Sequence, residues 1–84
     1  MAKKIKDEEY SMFHTRLRLA ERYGINMEHD EYIELCERFI KKDTINIIKK
    51  EPSNDQCIFS TVFKDRIVKL VWSYKKNCIT TAII

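Results

Sequence analysis

The chain predicts a single α+β domain in which two N-terminal helices pack on one face of a four-stranded antiparallel β-sheet, and three observations carry that expectation. Apolar residues recur at helical spacing up to Lys41, the period changes to two after Asp43, and the breaks between the later segments are too short for a crossover helix. With 84 residues, one glycine and one proline, there is room for one domain over 1–84 and no visible linker.

The first helix is expected at about 7–23. Asp7, Glu8 and Glu9 place negative charge in its first turn, where the helix dipole favours it, and Gly24 supplies a C-terminal stop. At 100° per residue, Tyr10, Phe13, Leu17 and Ala20 form one apolar stripe, with Met12, Leu19 and Tyr23 forming a second beside it. Arg16 lies between the stripes, so it is expected to point toward the protein, with a packed stem and a head that needs a carboxylate, a carbonyl or a ligand. Ser11, His14, Thr15, Arg18, Glu21 and Arg22 make a polar face on the opposite side, facing water or substrate.

A second helix is expected at about 28–41. Tyr32, Ile33, Leu35, Cys36, Phe39 and Ile40 share an apolar arc, while Glu31, Glu34, Glu37, Arg38 and Lys41 share the other side; its acidic start and basic end suit the dipole. The short link around Gly24, Ile25 and Asn26 predicts a helical hairpin or a bent pair.

Four segments rich in β-branched and aromatic residues follow, at about 44–49, 56–63, 66–74 and 78–84, separated by EPSND, KD and KKN. In the third, Val68, Leu70, Trp72 and Tyr74 alternate with Ile67, Lys69, Val71 and Ser73, and the first set is expected to meet the helices.

Composition narrows function mainly by exclusion. Apolar residues at 44% and charged residues at 35% describe a soluble globular chain rather than a disordered one. No apolar run approaches the roughly 20 residues of a membrane span, and MAKKIKDEE has no apolar h-region, so a cytoplasmic chain without membrane partners is expected. Cys36, Cys57 and Cys78 lack any CxxC pair or histidine at zinc spacing, which predicts reduced core thiols and no metal. One glycine cannot build a phosphate-cradling loop, so no nucleotide or other cofactor is expected, and no nucleophile elbow or HExxH motif is present. The net charge of +3 is concentrated in the first and last thirds and admits an anionic partner without requiring one.

The only constellation with chemical potential is the line His14, Arg18, Arg22, stacked by i, i+4 spacing. Imidazole is the side chain suited to proton transfer near neutrality, and His14 is the better placed acid or base, whereas His29 suits a surface or capping role. Arg18 and Arg22 have the fork geometry that grips phosphate, though the same face reads equally as a solvated surface in which Glu21 pairs with its neighbours. Lys69, with Lys64, Arg66, Lys75 and Lys76, sets positive charge along the third strand and its turns, where edge lysines also discourage aggregation. Thr80 and Thr81 bring hydroxyls to the last strand.

Two stretches carry a resemblance. FHTRLRLAERYGI resembles the H-x3-R-x3-R-x-G helix, and IVKLVWSYKKNCITTAII the closing hairpin, of the small RNase-like fold of the RelE, BrnT and colicin-ribonuclease toxins; the layout also resembles small phage proteins of similar length. The resemblance implies metal-independent endoribonuclease activity, in which a basic group activates the ribose 2′-hydroxyl. It would make His14 the acid or base, Arg18 and Arg22 the phosphate clamp, and Thr80 or Thr81 a hydrogen-bonding partner. Arg16, by its position between the stripes, and Lys69, by its charge, are further candidate substrate contacts. The leading expectation is therefore a small RNA-directed protein, either a nuclease or an RNA-binding relative. The alternative is a non-enzymatic interaction protein, such as a phage-type factor that binds a host protein, or a homodimer, using the outer sheet face at Ile58, Val62, Ile67 and Val71 and the chain end at Ile83 and Ile84.

Overall fold

The computed structural model describes residues 7–84, with side chains from Glu9 onward. The expectations attached to MAKKIK and to the side chains of Asp7 and Glu8 lie outside the described residues. Helix α1 spans Asp7–Tyr23 and α2 spans His29–Lys41, followed by strands β1 (Ile45–Glu51), β2 (Gln56–Phe63), β3 (Arg66–Ser73) and β4 (Cys78–Ile83). The strands form one antiparallel sheet in the order β1-β2-β3-β4. The domain is thus α+β, with both helices N-terminal to the sheet. β1 begins at Ile45 and reaches Glu51, two residues past its expected end, before a 3-10 turn at Pro52–Asn54.

Local chemistry sets each boundary. Gly24, at φ +68, ends α1 where any side chain would be strained, although a Cβ there would meet nothing within 4 Å. α2 opens with the Glu28 N–H donating to Glu31 Oε1 at 2.7 Å, and that bond, assisted by Lys64 and opposed by partial burial, holds the Glu31 carboxyl below its ordinary range. It closes with Lys42 in the left-handed region and the Asp43 N–H donating to the Arg38 carbonyl at 2.9 Å. Lys64 and Asp65 both have positive φ, the two-residue type I′ geometry that matches strand twist, here achieved without glycine.

Register decides which side chains meet the helices. Cys57, Phe59 and Phe63 on β2 and Val68, Leu70 and Trp72 on β3 are buried, as is Ala82, which pairs with Leu70. Tyr74, expected with this set, lies beyond the strand and is exposed. From α2, Tyr32, Leu35 and Phe39 complete the core; the Phe39 ring stacks on Trp72 with centroids 4.3 Å apart. The buried Tyr32 hydroxyl donates to the Ile79 carbonyl at 2.6 Å, and burial, with the Cys36 and Cys78 thiols nearby, pushes its ionisation far above the ordinary phenol range. Cys36, Cys57 and Cys78 are all buried thiols in no disulfide. No described helix is long and apolar enough to cross a membrane.

The turns at one end of the sheet are joined by Asp55. Its carboxylate accepts from Ser73 Oγ at 2.6 Å and from the Lys75 N–H at 2.9 Å, while Ser73 Oγ accepts from the Lys76 N–H at 3.0 Å. The Ser73 hydroxyl above all, opposed by partial burial and aided by the Lys75 amide, holds the carboxyl below its ordinary range. A carboxyl depressed in the folded state stabilises the fold fully above its unfolded pKa of roughly 4 and loses that contribution as pH falls through the lower folded value. Asp55→Asn is therefore expected to lower the thermal midpoint at neutral pH and to flatten its decline below pH about 4, measured by thermal melts across a pH series.

Candidate functional site on the first helix

α1 is oriented against its apparent amphipathicity. Ser11 and Thr15 are 2% and 0% exposed, whereas Tyr10, Phe13 and Leu17 are 60%, 63% and 42% exposed. The expectation that Arg16 points into the protein is therefore corrected: its side chain is exposed, on the rim of the outward stripe. The buried line runs Ser11, Thr15, Leu19 and lies against β4. Two features make this feasible. Thr15 Oγ1 donates to the Ser11 carbonyl at 2.7 Å, so the hydroxyl is satisfied within the helix and the residue packs as a small apolar one. The β4 strand presents Ala82 to the core, which leaves room for a close approach.

Side chains of α1 then bond along β4 in ascending order. Thr15 Oγ1 lies 3.5 Å from the Ile79 carbonyl, Arg22 Nη1 donates to the Ala82 carbonyl at 3.2 Å, and the Tyr23 hydroxyl donates to the Ile83 carbonyl. Seven residues of helix and three of strand both advance about 10 Å, so the helix and the strand run in the same direction in matching steps. The Tyr23 hydroxyl also accepts the Lys69 N–H at 3.1 Å, which joins β3 to the same helix end. A helix along the outer strand also shields an edge that would otherwise invite pairing.

Of the residues singled out by sequence, Arg22 and Thr81 are brought together: Thr81 Oγ1 lies 3.5 Å from the same Ala82 carbonyl that Arg22 bonds. Arg18, one turn before, is held by Glu21 at 2.8 Å, and the half-buried His14 stacks beside the Tyr10 ring with centroids 6.1 Å apart. Thr80 is the extra residue of a bulge in β4 and turns to the Val71 carbonyl at 3.3 Å. The Lys69 side chain is exposed, and Arg16 stands across the helix from Arg22. His14, Arg18 and Arg22 thus line one flank of α1 beside β4, with two guanidinium groups already engaged.

The open groove on this helix lies elsewhere. A volume of about 260 Å³ is lined by Phe13, Arg16, Leu17, Ala20, Asn26 and Met27, on the side of α1 away from β4. A second, of about 340 Å³, runs over Thr44, Asn46, Ser60, Val62 and Ile67 at the β1–β2–β3 side. Among the described residues no cluster of His, Cys, Asp and Glu could hold a metal ion. The residues that sequence reasoning missed as surface features are Tyr10, Phe13 and Leu17, since an aromatic stripe at helical spacing reads as core. The signal for the true orientation is the pair Ser11 and Thr15, two small hydroxyl residues at i, i+4 in line with Leu19. No family model, curated protein or solved structure matches the chain.

Proposed function

We propose that this chain is a non-catalytic interaction module whose contact surface is the outward apolar stripe of α1. The observation that carries the proposal is the inverted helix: a domain this small leaves Tyr10, Phe13 and Leu17 in water while burying Ser11 and Thr15. Contiguous exposed apolar surface is uncommon on monomers, and aromatic side chains are enriched at protein interfaces. The outer sheet face is the weaker candidate, because Val71 is itself buried and the exposed Val62 and Ile67 are flanked by Ser60 and Lys69. A photoreactive phenylalanine analogue replacing Phe13 is expected to form covalent protein adducts in cells producing the chain, while the same analogue at exposed Ser53 forms none. Absence of adducts at position 13 would contradict the proposal.

A second reading, a small RNA-directed protein of the RelE, BrnT and colicin-ribonuclease kind, is favoured by one observation, the meeting of Arg22 and Thr81 at the Ala82 carbonyl beside Arg18 and His14. Fixed positive charge stabilises phosphate oxygens as negative charge develops on them. In that case total cellular RNA incubated with the chain in EDTA yields discrete fragments that His14→Ala does not produce. Intact RNA with both proteins would set cleavage aside.

A further inference from the structure

We infer that the occupant of the α1 stripe is a second copy of this chain, docked antiparallel about a two-fold axis close to Phe13. The inference rests on the interaction reading above and names its partner from the charges that flank the stripe.

At 100° per residue, Tyr10, Phe13 and Leu17 centre about 180° from the buried Thr15, and Glu9 and Arg16 lie together on one flank. Both flanking residues are exposed, and among the described residues neither enters an ion pair. They are seven residues apart, about 10 Å along the helix. A two-fold axis perpendicular to the plane of two antiparallel helices brings each flank against its own copy, so a flank bearing one acid and one base two turns apart is complementary to itself. Glu9 then faces Arg16 of the second copy, and Arg16 faces its Glu9.

The apolar pairing falls in the same register. The midpoint of Glu9 and Arg16 lies half a residue before Phe13, and that of Tyr10 and Leu17 half a residue after it. One axis at Phe13 therefore serves both pairings to within about 1.5 Å, one residue of helical rise. Phe13 meets Phe13 of the second copy, and Tyr10 of that copy comes opposite Leu17, beside the groove of about 260 Å³ lined by Phe13, Leu17, Ala20 and Met27. The groove gives a ring somewhere to go, which a flat helix face would not. A contact of about two helical turns falls short of the roughly 1,200 Å² of stable interfaces, so a reversible dimer is expected rather than a permanent one.

The test is the mass of the purified chain by sedimentation equilibrium from about 1 µM to 1 mM, the range in which contacts of this size dissociate. A monomer–dimer equilibrium is expected for the parent and a monomer throughout for Phe13→Glu, with helix content by circular dichroism unchanged. Arg16→Glu alone and Glu9→Arg alone each set like charges face to face twice and should weaken the dimer about tenfold, an effect that shrinks in high salt. The double exchange Glu9→Arg with Arg16→Glu should restore it. A monomer at every concentration, a dimer indifferent to Phe13→Glu, or a double exchange no better than the single changes would each overturn the inference. A monomeric chain that still yields heavier adducts from position 13 would remove the second copy and leave the interaction reading standing; a monomer without such adducts would remove both.

Discussion

Thr15→Glu is expected to cost this domain on the order of 4 kcal/mol of stability, because it drives a longer, ionised side chain into a site that is fully buried. Thr15 is completely buried between α1 and β4, and its hydroxyl is already bonded to the Ser11 carbonyl. A longer side chain must push the helix off the strand, and an ionised one must also lose its water. Domains of this length have total stabilities of roughly 4–13 kcal/mol, so the variant should lose between about a third and all of its folding free energy at 25 °C. Phe13→Glu, half a helical turn away on the opposite side, should cost under about 0.5 kcal/mol in the monomer, since surface changes rarely do more and Glu is the better helix former. Both are measured by urea titration of Trp72 fluorescence, Trp72 being buried and therefore a reporter of the core.

Phe39→Ala is expected to cost about 3–5 kcal/mol, the usual range for truncating a buried aromatic ring. Phe39 joins α2 to two strands: its ring stacks on Trp72 at 4.3 Å and 19°, and tilts against Phe59 at 4.9 Å and 49°. Aromatic pairs add roughly 0.5–1.5 kcal/mol beyond the area they bury. The Lys42 ammonium, 4.5 Å above the same ring, loses its cation–π partner as well. The cavity would open directly beside Trp72, so the native emission of the variant should shift to longer wavelength as well as its midpoint falling. An unchanged midpoint would mean that α2 is not seated on β2 and β3 as described.

The difference between these two sites explains what the sequence disclosed and what it concealed. α2 is legible because most of its apolar arc is its buried face: Tyr32, Leu35, Cys36 and Phe39 are predicted and found inside, while Ile33 is half-buried and Ile40, near the helix end, is exposed. The strands are legible for the same reason, with Val68, Leu70 and Trp72 on the helix side. α1 has the right limits, Asp7 to Tyr23, but its inward face does not follow hydropathy. Thr15 satisfies its own hydroxyl, and Ser11 and Ala82 are small, so close packing against β4 outweighs what Tyr10, Phe13 and Leu17 would gain by burial on a face bordered by the loop residues Asn26 and Met27. Hydropathy counts side chains one at a time. It does not register the fit between a helix with small residues and a strand that can accept it.

The candidate site divides along the same boundary. The line His14, Arg18, Arg22 follows from helical spacing alone. Its placement beside the last strand does not, because it depends on the α1–β4 contact, and only that contact puts Arg22 and Thr81 at one carbonyl. The hydropathy pattern that turns Phe13 inward turns Arg16 inward with it, and both are exposed. The tight turn at Lys64 and Asp65 reads as a break in the sequence, but its left-handed pair carries no glycine to announce the turn type.

The proposed interface stands on the orientation of α1, and one comparison tests it most directly: the urea midpoints of Thr15→Glu and Phe13→Glu, followed by Trp72 fluorescence below 1 µM, about the concentration at which a weak dimer has dissociated. With Thr15 inside and Phe13 outside, Thr15→Glu loses on the order of 4 kcal/mol of folding free energy while Phe13→Glu keeps the midpoint of the parent. A stable Thr15→Glu beside an unfolded Phe13→Glu would turn the helix over and contradict the account.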